Sequence, residues 1–225
     1  FYLMLLTIHV ILGFIGLTAG IFVLFLKKGN QLHKKIGSVF LYAMLLSALT
    51  ALLLSYFRSN VFLFAIGIFT LYLIGTGSRY IQLKATGSLS AKPKMVDWVL
   101  SGLMFLSGIA LVVLGISSVV RGNTMGIALA VFGTIGLSGV WQDLRYYRGL
   151  QKEKMYWLSV HISRMVGGFI AATTAFLVNN TQHLPAIPSF IYWLLPTAIL
   201  VPLIIKWQRR LYKKVLNPRG PFTII

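Results

Sequence analysis

YLMLLTIHVILGFIGLTAGIFVLFL, residues 2–26, carries no charged residue and runs straight into KKGNQLHKK, residues 27–35, where lysines cluster. About 20 apolar residues in a helix cross the hydrocarbon core of a bilayer, so the first segment is long enough to span. Lys and Arg are retained on the cytoplasmic side of short loops, so the lysine cluster marks the side on which the segment stops. Working outward, the same alternation repeats. Further basic clusters hold Arg79, Lys84, Lys92 and Lys94, then Arg145, Arg148, Lys152 and Lys154. The tail adds Lys206, Arg209, Arg210, Lys213, Lys214 and Arg219. The intervening gaps hold only Arg58 and Arg121, and Arg164 lies inside an apolar run. The expected fold class is therefore all-α: a polytopic membrane protein of seven transmembrane helices, N-terminus outside and C-terminus cytoplasmic.

The expected spans are 2–26, 37–57, 61–78, 97–120, 124–142, 156–178 and 188–206, forming one transmembrane domain. Soluble domains carry about a quarter charged residues; here charged residues are 11% and hydrophobic residues 57% of 225. Seven spans and their loops leave no room for a soluble domain. The chain opens on Phe1 inside an apolar run, which predicts further residues before it. The net charge of +18 sits in juxtamembrane loops, where anionic inner-leaflet lipids are the nearer partner; no nucleic acid is expected. The absence of cysteine excludes disulfides and thiolate chemistry.

The short links Arg58-Ser59-Asn60 and Arg121-Gly122-Asn123 predict adjacent antiparallel hairpins. The loop from Gln82 to Val96, with Gly87, Ser88, Ser90 and Pro93, is expected to be irregular. Gly13, Gly16 and Gly20, then Gly133, Gly136 and Gly139, line faces where helices can approach closely. Gly167 and Gly168 are expected to interrupt the sixth span, and Pro196 and Pro202 to kink the seventh.

Polar groups at membrane depth are costly and are the default place to look for function. Arg164 is such a group, and His161 shares its helix face three residues earlier. Asp143 is the nearest acid by topology and Asp97 the other. Three readings stay open for Arg164: a structural pair with Asp143, an inward-facing anion or cofactor site, and snorkelling to the headgroups. Tyr72, Thr76 and Tyr80 stripe one face of the third span, where they either line a polar cavity or pack by hydrogen bonds.

The histidines sort two to each side: His9 and His183 outside, His33 and His161 inside. Imidazole is a common axial ligand for haem iron, so the set raises a haem b, cytochrome-like reading with electron transfer across the membrane. In that reading His33 and His161 are the inner ligands, His9 serves the outer side, and Arg164 balances propionate charge. Other chemistry has little support. No acid lies near the middle of a span, which argues against a carboxylate relay. Paired-carboxylate catalysis, an acid-oriented Ser/His pair and a glycine-rich phosphate loop all lack their residues.

Two segments carry a resemblance. His9-x3-Gly13, followed by Lys28-Gly-x3-His33-Lys-x2-Gly37-x4-Tyr42, resembles the opening of an uncharacterised bacterial family of multi-pass predicted membrane proteins. Trp157-x3-His161-x2-Arg164-Met165-x-Gly167, leading into Ala171-x3-Ala175-Phe176, resembles that family's later helix. The resemblance implies the bacterial inner membrane and puts His9, His33, His161 and Arg164 in the family's motifs; it implies no activity. The first helix is also distantly similar to cytochrome b561-type helices, from which this chain departs by lacking clean histidine pairs on facing helices. Three function classes follow. They are a non-catalytic subunit working with other membrane subunits, a haem-dependent electron carrier, and a transporter or lipid- or anion-binding protein with its site at Arg164.

Overall fold

The computed structural model describes residues 1–83, 92–123, 125–151 and 153–216. Among these residues the chain is all-helical, with seven long helices: α1 (Tyr2–Phe25), α2 (Gln31–Phe57), α3 (Val61–Gln82), α4 (Met95–Val120), α5 (Met125–Tyr147), α6 (Tyr156–Asn179) and α7 (Ser189–Leu216). A single 3-10 turn, Thr181–His183, precedes α7. All seven are long and apolar enough to cross a membrane. Their outward faces expose large apolar side chains such as Phe14, Phe22, Leu106, Val113 and Ile199. That is the reverse of a soluble surface and the pattern a lipid solvent requires.

Several helices outrun the apolar spans. α2 begins at Gln31 rather than 37, because the Asn30 side chain accepts the His33 backbone N–H at 2.7 Å and caps the first turn. α3 runs on to Gln82, α5 to Tyr147 and α7 to Leu216. Hydropathy reads only the stretch inside the hydrocarbon, and nothing in these polar extensions breaks a helix. The expected irregular loop Gln82–Val96 is shorter at both ends, since Gln82 closes α3 and Met95 opens α4. Lys84, Gly87, Ser88 and Ser90 of that loop, and Lys152 and Arg219 of the basic clusters, lie outside the described residues. α6 is unbroken through Gly167 and Gly168, and α7 continues through both prolines.

The chain folds as antiparallel neighbours. Arg58 Nε donates to Tyr2 Oη at 2.6 Å, joining the end of α2 to the start of α1. α1 packs on α2, α2 on α3, α3 on α6 and α6 on α7, while α4 and α5 pack on each other and meet the rest mainly through α3. One apolar core joins α1, α2, α6 and α7 through Ala19, Phe40, Val166, Phe169, Leu200 and Trp207.

The α4–α5 hairpin is closed by backbone contact. A Cβ on Gly115 would lie 2.6 Å from both the Gly126 carbonyl oxygen and the Ala130 nitrogen. Backbone cannot move aside as a side chain can. Gly115→Leu is therefore expected to cost about 1–3 kcal/mol, the range for overpacking. Gly102→Leu on the same helix, where nothing lies within 4 Å, is the control. If the two variants melt together in detergent, the close zip is wrong.

Candidate functional site

The first polar centre is built on Asp143. Its position near the end of α5 turns the carboxylate inward, where it is fully buried. Tyr72 Oη donates to it at 2.6 Å, Tyr80 Oη at 2.8 Å and Ser101 Oγ at 2.9 Å. Arg164 Nη2 completes the set at 2.6 Å and also donates to the Gly139 carbonyl at 3.0 Å. A carboxylate can accept about four hydrogen bonds, so donors from α3, α4 and α6 saturate it. The guanidinium carbon lies 5.0 Å from the Tyr72 ring centroid and 4.9 Å from that of Tyr80. Arg164 Nη1 makes no hydrogen bond; the two aromatic faces supply the cation's remaining stabilisation.

Arg164 thus faces a carboxylate, two rings and a carbonyl rather than open space. The structural pair is formed, and Nη1 is left without a hydrogen bond. Thr76, fully buried on the same stripe, stays out of the network because its Oγ1 bonds back to the Tyr72 carbonyl at 2.5 Å. Asp97, the other topological partner for Arg164, is taken by Arg79 in a two-pronged pair: Nε to Oδ1 at 2.7 Å and Nη2 to Oδ2 at 2.7 Å. Asp97 Oδ2 also accepts the Lys94 backbone N–H at 2.7 Å and starts α4.

The second centre lies where the ends of α1, α3 and α7 meet the starts of α2 and α6. His161 Nδ1 is 2.8 Å from the Gly77 carbonyl oxygen of α3. A carbonyl only accepts, so Nδ1 carries the proton and a neutral ring keeps its lone pair on Nε2. His33 lies within electrostatic range of His161 and of Lys28, and its Nδ1 is buried without a hydrogen-bond partner. One turn along the same face, Gly37 is half-buried with no atom within 4 Å of where its Cβ would be.

Lys28 closes the floor of this region. Its ammonium donates to the carbonyls of Val23 at 2.9 Å, Leu24 at 2.7 Å and Leu26 at 3.0 Å, capping the end of α1. It also sits 4.6 Å from the Trp207 ring centroid. Burial pushes the ammonium down to about 8, which still leaves it cationic at neutral pH. Trp207 Nε1 is buried without a partner. Next to it on α7, Gln208 Nε2 donates to Ser163 Oγ at 2.6 Å.

The opposite end holds no matching pair. His9 Nδ1 is 3.0 Å from the Ser47 carbonyl oxygen and 3.1 Å from Thr50 Oγ1. Gly13, one turn on, is closed off by Ser47 Oγ at 3.5 Å from its would-be Cβ. His183 is exposed in the 3-10 turn. Among the described residues no group of three or more His, Cys, Asp or Glu could hold a metal ion.

Sequence reasoning missed Ser101, the Gly139 carbonyl, the Arg79–Asp97 pair and Trp207. A serine seven helical positions from Gly108 and a tryptophan in a basic helix end carry no local signal of their partners. Compared with known proteins, the chain matches no family model, no curated protein and no solved structure.

Proposed function

We propose that this chain is a multi-pass protein of the bacterial inner membrane, N-terminus outside and C-terminus cytoplasmic. At the cytoplasmic end His33 and His161 would hold one b-type haem, which would supply one-electron transfer there. Orientation rests on the basic clusters; anionic lipids of the inner leaflet are the partners those clusters fit. The family resemblance of the two histidine segments supports the bacterial inner-membrane assignment alone.

The observation that carries the reading is the state of the two imidazoles. Ligating histidines commonly donate their other ring N–H to a backbone carbonyl, which fixes the tautomer and frees the second nitrogen for iron. His161 is held that way by Gly77. His33 presents a buried ring nitrogen with no partner, and one turn along nothing lies within 4 Å of where a Cβ on Gly37 would be. Bound there, haem b would supply a one-electron iron couple. The chain's own residues would fix both imidazoles and screen the site from lipid. The outer haem has less support, because His183 is exposed in the 3-10 turn.

The test is an absorption spectrum of detergent-purified protein made with haem available, oxidised and then reduced with dithionite. A Soret band that shifts and sharpens on reduction is expected. A spectrum with the aromatic band alone would overturn the reading. What would then stand is a non-catalytic membrane subunit, favoured by the saturation of Asp143 with internal donors.

A further inference from the structure

Away from both polar centres, the Arg121 end of the α4–α5 hairpin carries an open apolar groove of about 430 Å³. Ile116 and Val120 line it from α4, and Ile127, Val131, Thr134 and Ile135 from α5. The backbone contact at Gly115 and Gly126 draws the two helices together, and the larger side chains flanking that seam stand clear of it. Thr134, the one polar residue of the lining, donates its hydroxyl to the Ala130 carbonyl at 2.8 Å. Nothing in the groove asks for a hydrogen bond.

On a lipid-facing hairpin such a groove takes either a lipid chain or another helix. The side chains decide between them. Helices meet in membranes over small residues, and the small residues here, Gly115, Gly126 and Gly133, are already buried in the α4–α5 seam. Ala130, the one small residue of the lining, lies against Gly115. The other seven of the eight lining residues are β-branched, and such side chains are stiff at χ1. Rigid bulky walls keep a helix at a distance and leave room for a thin, flexible chain.

Arg121 supplies the charge. It follows Val120 directly, at the turn that closes the hairpin, and it is exposed with no partner for its guanidinium among the described residues. Arg58, the other cation of the sparse gaps, is held by the Tyr2 hydroxyl at 2.6 Å. We propose that the groove seats one acyl chain of an anionic phospholipid whose phosphate pairs with Arg121. The site is independent of the haem reading and needs only that the hairpin lies in a bilayer.

The chain has no cysteine, so a single one can be labelled cleanly. Val120 borders the groove and is 81% exposed, which suits Val120→Cys to a bimane label. The labelled full chain would be placed in phosphatidylcholine nanodiscs with a small fraction of lipid bearing a nitroxide on its acyl chain, either phosphatidylglycerol or phosphatidylcholine. Nitroxide quenching is short-ranged, so lipid gathered at the basic clusters of the other end is not seen. Phosphatidylglycerol is expected to be enriched at the label about fivefold over phosphatidylcholine, the worth of one arginine near an anionic headgroup. Arg121→Gln, added to the labelled chain, is expected to erase that preference. Thr134→Phe, which puts a ring into the groove at an exposed position, is expected to reduce quenching by both lipids.

Equal quenching by the two lipids before either substitution would overturn the proposal, leaving ordinary boundary lipid, and that comparison needs no further variant. A preference that survives Arg121→Gln would overturn it as well. Quenching unchanged by Thr134→Phe would place the chain elsewhere and defeat the groove as its seat. Were a helix of a second copy the occupant, neither lipid would quench and two copies would share a disc; that result also defeats the proposal.

Discussion

An Arg164→Ala chain is expected to melt far below wild type in the same detergent, having lost about 3–5 kcal/mol of stability. The reason is asymmetry. The intact pair gains little over a well-packed apolar substitute, because both charges gave up water to form it. Removing one partner leaves the other charge buried and uncompensated. Asp143 would keep its three hydroxyl donors but lose its cation. The Gly139 carbonyl would lose the guanidinium N–H, and Tyr72 and Tyr80 would close on a void where the guanidinium had lain.

Arg164→Lys sharpens the test. Lysine restores the charge as a compact point without the planar fork or the stacking surface, so it is expected to recover part of the loss and not all. Unchanged thermal stability of Arg164→Ala would sink the account of Asp143 as the lock between α5 and α6. Arg79→Ala breaks the other pair at a site where the arginine side chain is 13% exposed, and the smaller loss expected there gives the scale.

The stripe on α3 shows what the sequence could and could not say about this lock. Tyr72, Thr76 and Tyr80 are four residues apart and must share a face. Two of them reach Asp143 because a tyrosine hydroxyl stands far from its backbone. Thr76 has a short side chain, and bonding the carbonyl four residues back is its nearest option. Periodicity gives the face but not the reach. The choice between acids was equally hidden. Arg164 had Asp143 and Asp97 as topological partners, and pairing follows from lateral helix order, which loop lengths leave open.

The seven spans were legible because a bilayer selects for length and apolarity alone. Their ends were less so, because polar extensions such as Lys206 to Leu216 stay helical outside the hydrocarbon. For the histidines, depth was legible and environment was not. His9 and His33 each precede a glycine by one turn, and the motifs look alike. In space one glycine meets Ser47 and the other meets nothing.

That difference yields the second large effect. Under the proposed haem reading, Gly37→Leu is expected to abolish the Soret band while leaving thermal stability unchanged or slightly raised. A leucine there enters space with no atom within 4 Å, and it removes a helix-interior glycine, which costs about 1 kcal/mol relative to alanine. Its side chain projects along the face of α2 that carries His33, where the porphyrin edge has to approach. The fold gains and the ligand is shut out. Gly13→Leu runs the opposite way, pressing on Ser47 and disturbing the α1–α2 contact that holds His9; stability should fall and the Soret band of surviving protein should persist. His161→Ala would also lose the band, but it removes the bond to Gly77 that ties α6 to α3, at about 0.5–1.5 kcal/mol, so loss of haem and loss of stability would arrive together. Gly37→Leu separates them. A variant that keeps both its stability and a full Soret band would exclude the Gly37 face as the haem approach, and with it His33 as a ligand from that side.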